Sequence, residues 1–560
     1  MAESTLLRWS RNTPRPELKS AGGWSSIDQT RVWPRGLIAD RDALPDSATF
    51  DTDSELLVAL FEHSGTDALE MMAGTQSVAL WDAKNRELLV STDRAGVHPM
   101  FYTKSGDRTL VSSDVVNLLE EPSVTRRLNI RSCVRFLQGE PPGSGETFFD
   151  GVLAVEPARI LKLSSSGVVD ESIYWELDPQ PVLPLSRRED YENAYLERLS
   201  EVIPGYLPKS AFGITLSGGL DSTSVAAIAR ASRSGGDIVG FTWIAPELPE
   251  ADEHDVAEAA AAHLGIELVP IRGDLHWPLS SPLGLATSPD GPFLNFYSEL
   301  WDETFRTMRG KGFDVSLSGL DGDRLFGGGL FPYADLLLTG RWLTLVNQVR
   351  HHLRHVTKSL PSLLRQTVLS PVARAYLPPL RHRARPVPWL KTEFREPVAK
   401  DRGTVWRGLP GRFNRYETLT DPFLGMVAAA TTNHARRHGI DFRHPLLDHR
   451  LLEFAARLPQ TVVTDGFTQK AIVRRAMGSL LPMEVTAQFD KVRPTAIGYR
   501  GLREREQEKI WPLMRDMRLS DLGVVDESVL RSEYQAFLEG KDSTIFWYTI
   551  TLEDWLRRYW

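Results

Sequence analysis

Two glycine-rich turns in this 560-residue chain carry side chains that can bind phosphate and a metal ion. The first turn, from Ser217 to Ser222, reads Ser-Gly-Gly-Leu-Asp-Ser between an apolar run and a helical pattern. Its glycines let the backbone approach a ligand closely, and the first N–H groups of the following helix attract an anion. Asp221 would repel a bare phosphate, but its carboxylate suits a phosphate that carries Mg²⁺. The alternative interpretation is an ordinary capped turn between a strand and a helix.

The second turn, from Ser318 to Gly328, reads Ser-Gly-Leu-Asp-Gly-Asp-Arg-Leu-Phe-Gly-Gly and again follows an apolar run. Asp323 can be the second carboxylate on the metal ion that Asp221 binds. An Asp-Gly loop without special function is the alternative, because such loops are frequent in proteins. Ligands of parallel α/β sheets bind beyond the carboxyl ends of the strands, so two turns at such ends can share one ligand.

Strand and helix patterns alternate around both turns. Short apolar runs, typical of buried strands, occur at residues 211–216, 237–244, 266–271 and 313–317. Helical patterns lie between them. This alternation predicts an α/β fold with a parallel sheet that is covered by helices on both faces.

A proline-rich stretch near residue 180 indicates a boundary between two domains. Residues 1–180 are strand-rich, with short β-type runs broken by Gly, Asn and Asp turns. Residues 181–560 hold the alternating segment, a basic and largely helical insertion at about 341–415, and a mostly helical C-terminal part. Between residues 341 and 400 the insertion has 12 Lys or Arg against 2 Glu. Such a run is usually solvated, but it can also bind nucleic acid, an anionic membrane surface or an acidic partner.

The composition excludes several classes of protein. A net charge of −8 argues against a nucleic-acid-binding molecule, and no apolar run reaches the ~18 residues of a membrane-spanning helix. The single cysteine, Cys133, excludes an intramolecular disulfide and favours the reducing cytoplasm as the location. We expect Cys133 to be a buried structural thiol.

Both turns resemble motifs of the asparagine synthetase superfamily. The first resembles its pyrophosphatase loop, S-G-G-x-D-S, and the second resembles its block S-G-x-G-x-D-x-L-F-x-G. Three further blocks of the family's synthetase part have similar segments in this chain, at residues 252–253, 442–459 and 468–482. The family's glutaminase domain has similar segments at residues 69–102 and 147–163. The resemblance covers nearly the whole chain. It implies an N-terminal glutaminase-like α+β sandwich of the Ntn type, then a synthetase domain with a parallel-sheet ATP-pyrophosphatase fold and a helical C-terminal part.

The same resemblance implies ATP and Mg²⁺ as cofactors and assigns roles to individual residues. The catalytic residues that it implies are Asp221, Asp323 and Lys491, and the two aspartates are also the metal ligands. The nucleotide-binding residues that it implies are Leu216, Ser217, Gly218, Gly219, Asp221, Ser222, Thr242, Ser318, Gly319 and Lys470. Lys491 matches by position the lysine that family members use at the reacting centre, but it can also be one surface lysine among many. Lys470 and Arg474, four residues apart, can reach phosphate or form a solvated basic face.

Two positions depart from the family pattern. Family glutaminases use a cysteine that is exposed when Met1 is removed, whereas residue 2 is Ala here, so no thiolate is expected to attack glutamine. Leu320 stands where asparagine synthetases carry Glu and β-lactam synthetases carry a catalytic Tyr, and Leu cannot accept a proton. We therefore expect the amine to arrive on another substrate, with the N-terminal domain kept as a scaffold or docking surface.

This profile resembles the lasso peptide cyclases, the macrolactam synthetases of the superfamily, and residues 522–560 resemble their C-terminal pattern. The resemblance implies adenylation of an Asp or Glu side chain in a precursor peptide and attack by the peptide's N-terminal amine, with release of AMP and pyrophosphate. It also implies a leader-peptide-binding protein and a leader peptidase as partners, and no nucleic acid. The alternatives are a β-lactam-synthetase-like or ammonia-dependent asparagine-synthetase-like ligase, and a catalytically inactive scaffold, against which the retention of both aspartates argues.

Overall fold

The computed structural model describes the chain except for residues 1–5, 11–14, 21–22, 27–28, 165–166, 179–180, 234–237, 281–289, 294–295, 328–331, 356–360, 362–363, 370–386, 396–412, 466–467, 489–494 and 542–544.

The N-terminal part of the structure consists mainly of two antiparallel β-sheets. The strands of this part are β1 Leu6–Ser10, β2 Glu17–Ser20, β3 Gly23–Ser26, β4 Arg31–Arg35, β5 Ser77–Asp82, β6 Glu87–Ser91, β7 Phe101–Ser105, β8 Arg108–Ser112, β9 Val152–Ala154, β10 Arg159–Ser164 and β11 Gly167–Ile173. One sheet has the order β3-β2-β1-β8-β7-β9 and the other has the order β11-β10-β6-β5-β4.

These two sheets pack face to face. Successive side chains of a strand point to opposite faces, so alternate residues of β1 and β5 meet in one apolar layer. In that layer the rings of Trp9 and Trp81 make an edge-to-face contact with centroids 5.1 Å apart. The helix α1, Asp53–Ser64, covers the outer face of the second sheet. It begins where the side chains of Thr52 and Glu55 form a capping box.

A five-stranded parallel sheet forms the centre of the C-terminal part. Its strands are β12 Phe212–Thr215, β13 Ile238–Ile244, β14 Glu267–Arg272, β15 Val315–Leu317 and β16 Asp441–Arg443. The order is β14-β13-β12-β15-β16, and every neighbouring pair is parallel. The chain therefore builds outward from β12 to β14 and then returns to the other side of β12 with β15. This reversal makes the space beyond the carboxyl ends of β12 and β15 the switch point of the sheet.

Helices surround this sheet and form most of the C-terminal part. Its helices are α5 Arg188–Val202, α6 Leu220–Ala231, α7 His254–Leu264, α8 Ser298–Gly310, α9 Gly322–Phe326, α10 Pro332–Leu338, α11 Trp342–His355, α12 Phe413–Leu419, α13 Pro422–Arg437, α14 His449–Arg457, α15 Gln460–Val463, α16 Ala471–Ala476, α17 Met483–Thr486, α18 Thr495–Arg500, α19 Gln507–Leu513, α20 Arg518–Asp521, α21 Glu527–Leu538 and α22 Phe546–Tyr559. Besides α1, the N-terminal part has the helices α2 Ala68–Met71, α3 Val115–Leu119 and α4 Ile130–Leu137. Among the residues that the structure describes, no helix is long and apolar enough to cross a bilayer.

The two faces of the parallel sheet are covered by different helices, as the alternating pattern predicts. Ile238 of β13 belongs to the core that includes α6 and α7, whereas Phe241 belongs to the core that includes α8 and α13. The α/β character of the chain, with an antiparallel N-terminal part and a parallel C-terminal sheet, is thus confirmed.

A single apolar core joins the last helices of the chain to the N-terminal part. The ring of Trp555 on α22 lies 5.6 Å from that of Phe148, and Tyr548 lies 5.4 Å from Phe136 on α4. Cys133, also on α4, is fully buried in this core. The expectation of a buried structural thiol is confirmed.

Candidate functional site

Both glycine-rich turns lie at the switch point of the parallel sheet and touch each other there. The first turn connects β12 to α6, and the second connects β15 to α9. A Cβ atom on Gly319 would lie 2.4 Å from the backbone nitrogen of Ser222, and one on Gly322 would lie 2.1 Å from Cγ of Asp221. The second turn can approach the start of α6 this closely only because it carries glycine at these two positions.

The first turn is held in shape by its own hydroxyl groups. Ser217 Oγ and Ser222 Oγ are 2.9 Å apart, and the backbone N–H of Gly219 donates to Ser217 Oγ at 3.2 Å. Gly219 caps α6, and a Cβ on Gly218 would lie 2.8 Å from Cβ of Val256 in the first turn of α7. The turn is therefore a compact cradle at a helix N-terminus, the kind of position that suits a phosphate group.

Lys470 binds the two predicted metal ligands from the far side of the site. Its Nζ forms an ion pair with Asp221 Oδ2 and lies 2.8 Å from Asp323 Oδ1. Its side chain is only 12% exposed, that of Asp221 is 16% exposed and that of Asp323 is 56% exposed. Burial alone would lower the pKa of Lys470, but the two carboxylates raise it above its usual value, so the ammonium group stays charged.

The arrangement fits a magnesium ion and a polyphosphate. A cation already bridges the two carboxylates, so Asp221 and Asp323 face a common point, and carboxylate oxygens are ligands that Mg²⁺ prefers. The ammonium group of Lys470 provides a mobile point charge for a phosphate. The three side chains come from the two turns and from the residue before α16.

Asp321 is a member of this site that the sequence analysis did not identify. Its carboxylate is buried and pairs with Arg324, whose Nε is 2.6 Å from Oδ2. Burial raises the pKa of Asp321, Asp221 and Asp323 raise it further, and Arg324 opposes the change. Its φ of +85° is in the left-handed region that favours glycine, and the family block has glycine at this position. An aspartate where the family block has glycine is the sequence signal that could have identified Asp321.

A buried histidine orients the hydroxyl group of Ser318. His444 Nδ1 is 2.7 Å from Ser318 Oγ, and His444 Nε2 is 2.9 Å from the hydroxyl of Thr432 on α13. The backbone N–H of Leu320 also donates to Ser318 Oγ, at 3.3 Å. Burial lowers the pKa of His444 to about 3, so the imidazole is neutral. The sequence analysis contained His444 within a family block but gave it no role.

Other predicted residues lie at or behind the cradle. Leu216 is fully buried, and its N–H donates to the carbonyl of Phe241 at 2.9 Å. Thr242 is buried on β13, and its hydroxyl has no hydrogen-bond partner among the described residues. Lys491 lies outside the described residues. The structure thus brings most of the predicted nucleotide-binding residues together at the two turns, and their roles stay predictions.

Arg474 does not reach the cradle. Its guanidinium donates to the carbonyls of Gln469, Thr486 and Gln488, at 3.1, 2.7 and 2.8 Å. Lys470 and Arg474 do not share a helical face, because α16 begins at Ala471 and Lys470 has a left-handed φ of +55°. The described hydrogen bonds of Arg474 connect α16 to the chain after α17.

The position of Leu320 is apolar. Its side chain packs with Ala95 and Val97 of the N-terminal part and with Ala428 and Leu447 of the C-terminal part. This small cluster joins the second turn directly to the N-terminal sandwich. Leu320 itself has no group that could transfer a proton.

The fold and this site together define the class of protein: an antiparallel sandwich precedes a parallel-sheet domain with an acidic and glycine-rich nucleotide site. The asparagine synthase family model matches residues 209–557, and the glutamine amidotransferase domain model matches 41–175. The chain therefore belongs to the asparagine synthase family and is by family an ATP-dependent amide ligase. Its N-terminal part is a glutamine amidotransferase-like domain.

Three similar proteins share 22–28% of their residues with this chain over the matched segments. Asparagine synthetase 1 (glutamine-hydrolyzing) of Bacillus subtilis is 22% identical over 478 residues, which covers 78% of this chain and 70% of that protein. Asparagine synthetase 3 (glutamine-hydrolyzing) of Bacillus subtilis is 27% identical over 183 residues, or 32% of this chain and 29% of that one. The amidase chyE of Penicillium rubens is 28% identical over 252 residues, or 42% of this chain and 37% of that protein.

Proposed function

We propose that this enzyme closes a macrolactam in a precursor peptide, as lasso peptide cyclases do. The observation that carries the proposal is the pairing of an intact acidic nucleotide site with an apolar residue, Leu320, at its edge. The site suits activation of a carboxylate by ATP. The apolar edge lacks the proton-accepting side chain that asparagine or β-lactam synthesis would use there. The proposal includes the ATP-pyrophosphatase type of fold for the parallel sheet and the Ntn type for the sandwich.

In the first step, a side-chain carboxylate of Asp or Glu in the peptide attacks the α-phosphorus of ATP. The bond between the α-phosphorus and the bridging oxygen breaks, and pyrophosphate leaves with the electron pair. The N–H groups at the start of α6 and the ammonium of Lys470 would hold the pyrophosphate as its charge develops. Asp221 and Asp323 would hold Mg²⁺, which neutralises charge on the phosphates when bound.

In the second step, the N-terminal amine of the peptide attacks the acyl carbon, and AMP leaves as the amide forms. The amine must lose a proton in this step. Lys491, which we propose to act at the reacting centre, would stabilise the negative charge of the tetrahedral intermediate. Closure of the ring must exclude water, because water would hydrolyse the acyl-adenylate.

Chemistry of the N-terminal domain supports an amine rather than ammonia as the nucleophile. Cys133 is the only cysteine of the chain, and its side chain is fully buried. Burial raises the pKa of Cys133 to about 12, so the thiolate needed to attack glutamine does not form near neutral pH. The domain would then act as a scaffold or docking surface. We propose a leader-peptide-binding protein and a leader peptidase as partners in the cytoplasm.

A second candidate function is an ammonia-dependent asparagine-synthetase-like or β-lactam-synthetase-like ligase. The names of the relatives that match 78% of the chain favour asparagine synthesis. This candidate shares the adenylation step with the first. It differs in the carboxylate that is activated and, for asparagine synthesis, in its use of ammonia as the nucleophile.

Exchange of pyrophosphate into ATP separates the two candidates. A precursor peptide with an Asp or Glu seven to nine residues after its N-terminal amine should support exchange and lose one water in mass. The matched peptide with Asn or Gln at that position should do neither. Asp221→Asn should abolish AMP formation, whereas Asp51→Asn, an exposed residue far from the site in sequence, should leave it unchanged. If free aspartate supports exchange and no acid-bearing peptide does, the macrolactam proposal is wrong.

A further inference from the structure

Three side chains outside the nucleotide site converge on one point between α8 and α13. His434 lies on α13, His438 directly follows the last residue of α13, and Asp302 lies on α8. Asp302 Oδ1 is 3.3 Å from His434 Nε2 and 2.8 Å from His438 Nε2, and the three ligand atoms lie within 4.8 Å of one another. We propose that these three residues bind a zinc ion.

The chemistry of the three groups suits zinc. Two imidazole nitrogens and one carboxylate oxygen are a common protein ligand set for Zn²⁺, with bonds of about 2.0–2.2 Å. Two ligands at such a distance in a tetrahedral site are roughly 3.3 Å apart. The carboxylate oxygen has this spacing from His434 Nε2, and it lies closer to His438 Nε2, at 2.8 Å. Mg²⁺ and Ca²⁺ prefer sites made of oxygen atoms and do not fit this set.

The surroundings restrain the ligands and leave one side open. Arg306 pairs with the other carboxylate oxygen of Asp302, which fixes the orientation of Oδ1 toward the histidines. The side chain of His434 is 3% exposed and contacts the rings of Phe293 and Phe305. His438 and Asp302 are about one-fifth exposed, so a water molecule can take the fourth position.

The alternative is that Asp302 simply accepts hydrogen bonds from both imidazoles. In that arrangement each Nε2 carries a proton and points at the oxygen. Zinc binds the unprotonated Nε2 of a neutral imidazole, so in the zinc-bound arrangement the proton of each ring would lie on Nδ1 instead. The two arrangements differ in whether the protein takes up a stoichiometric metal ion, which can be measured directly.

An ion at this position would fix a helix that connects three parts of the molecule. Thr432, on α13, contacts His444, which orients Ser318 in the nucleotide site. Asn433 accepts from Arg35 at 3.0 Å, and Arg436, also on α13, pairs with Asp114 of the N-terminal part. The proposed zinc ion would therefore tie α8 to the helix that supports the second glycine-rich turn from behind.

Metal content of tag-free protein tests this proposal. Protein stripped with a chelator and dialysed against zinc should retain one equivalent per chain, and cobalt in its place should show the visible absorption of a four-coordinate ion. His438→Ala and Asp302→Asn should each weaken zinc binding on the order of 100-fold or more, because each removes a ligand or its charge. His263→Ala, which changes an exposed histidine on α7, should bind zinc as the unaltered chain does.

Circular dichroism checks that each variant is folded before its affinity is read. His438→Ala is the main variant because this side chain is partly exposed, so its loss leaves the helical core intact. The absence of a stoichiometric zinc ion in the unaltered protein would overturn the proposal. Equal zinc affinity of folded His438→Ala, Asp302→Asn and unaltered protein would overturn it as well.

Discussion

Lys470 occupies the position between two carboxylates where a metal ion is expected, so it must compete with metal when no nucleotide is present. The variant Lys470→Met removes the ammonium group and keeps most of the apolar stem. We expect it to bind Mn²⁺, used as a probe for Mg²⁺, more tightly than the unaltered protein in the absence of ATP. We also expect it to lose adenylation activity, because the pyrophosphate loses a charged contact.

The size of the first effect follows from the exposure of the two ion pairs. The contact with the mostly buried Asp221 is a charge-assisted hydrogen bond worth about 1.5–3 kcal/mol. The contact with Asp323 contributes about 0.5 kcal/mol or less, since that carboxylate is 56% exposed and screened by water. In the Lys470→Met variant, metal binding need not break these contacts. Its binding free energy should therefore be more favourable by about 2–3 kcal/mol, which corresponds to a roughly 30- to 150-fold lower dissociation constant. Loss of the lysine from the pyrophosphate site should slow exchange on the order of 10²- to 10³-fold.

Paramagnetic resonance of free Mn²⁺ gives the dissociation constant, and pyrophosphate exchange gives the activity. Lys311→Met, a change at an exposed lysine that directly follows α8, is the matched control and should alter neither. If Lys470→Met binds Mn²⁺ no more tightly than the control, the two carboxylates do not form the metal site. If it retains full exchange activity, Lys470 has no role at the phosphates.

Three further perturbations test other parts of the structure. His444→Phe should raise the KM for ATP on the order of 10-fold with a small change in kcat, since Ser318 loses its orienting partner, and His444→Gln should recover part of the loss. Burial raises the pKa of Glu506 from 4.5 to about 7, so the folded chain holds the extra proton and stability falls as pH rises through that window. Glu506→Gln should therefore raise the melting temperature at pH 8 and not at pH 5, and exposed Glu508→Gln should do neither. Cys133 should react with a thiol reagent at pH 8 only after unfolding, because its pKa of about 12 and its burial protect it; rapid labelling of the folded chain would contradict the buried position.

The parts of the site that depend on local sequence were predictable. An apolar run that ends in a glycine-rich turn is a local signal, and both such runs became β12 and β15 of the parallel sheet. The contact between the turns follows from the strand order, because β12 and β15 are neighbours. Helix α7 likewise ends at a local signal, Gly265, which has a left-handed φ of +63°.

Contacts between distant segments could not be predicted in the same way. Lys470 lies 249 residues from the carboxylate of Asp221, and helical periodicity wrongly suggested that it shares a helical face with Arg474. Lys470 has a left-handed backbone conformation directly before α16, and no residue pattern predicts that conformation for a lysine. The position of His444 behind Ser318 depends equally on the placement of β16 beside β15.

The shared core of α4 and α22 also constrains how the chain can fold as it is made. The rings of Phe136 and Phe148 are covered by side chains from Phe546–Tyr559, which are translated some 400 residues later. At typical rates of synthesis that interval is roughly 20–80 s. The amidotransferase-like domain therefore leaves the ribosome with an open apolar face, and we expect chaperones to bind this face until the final helix closes it.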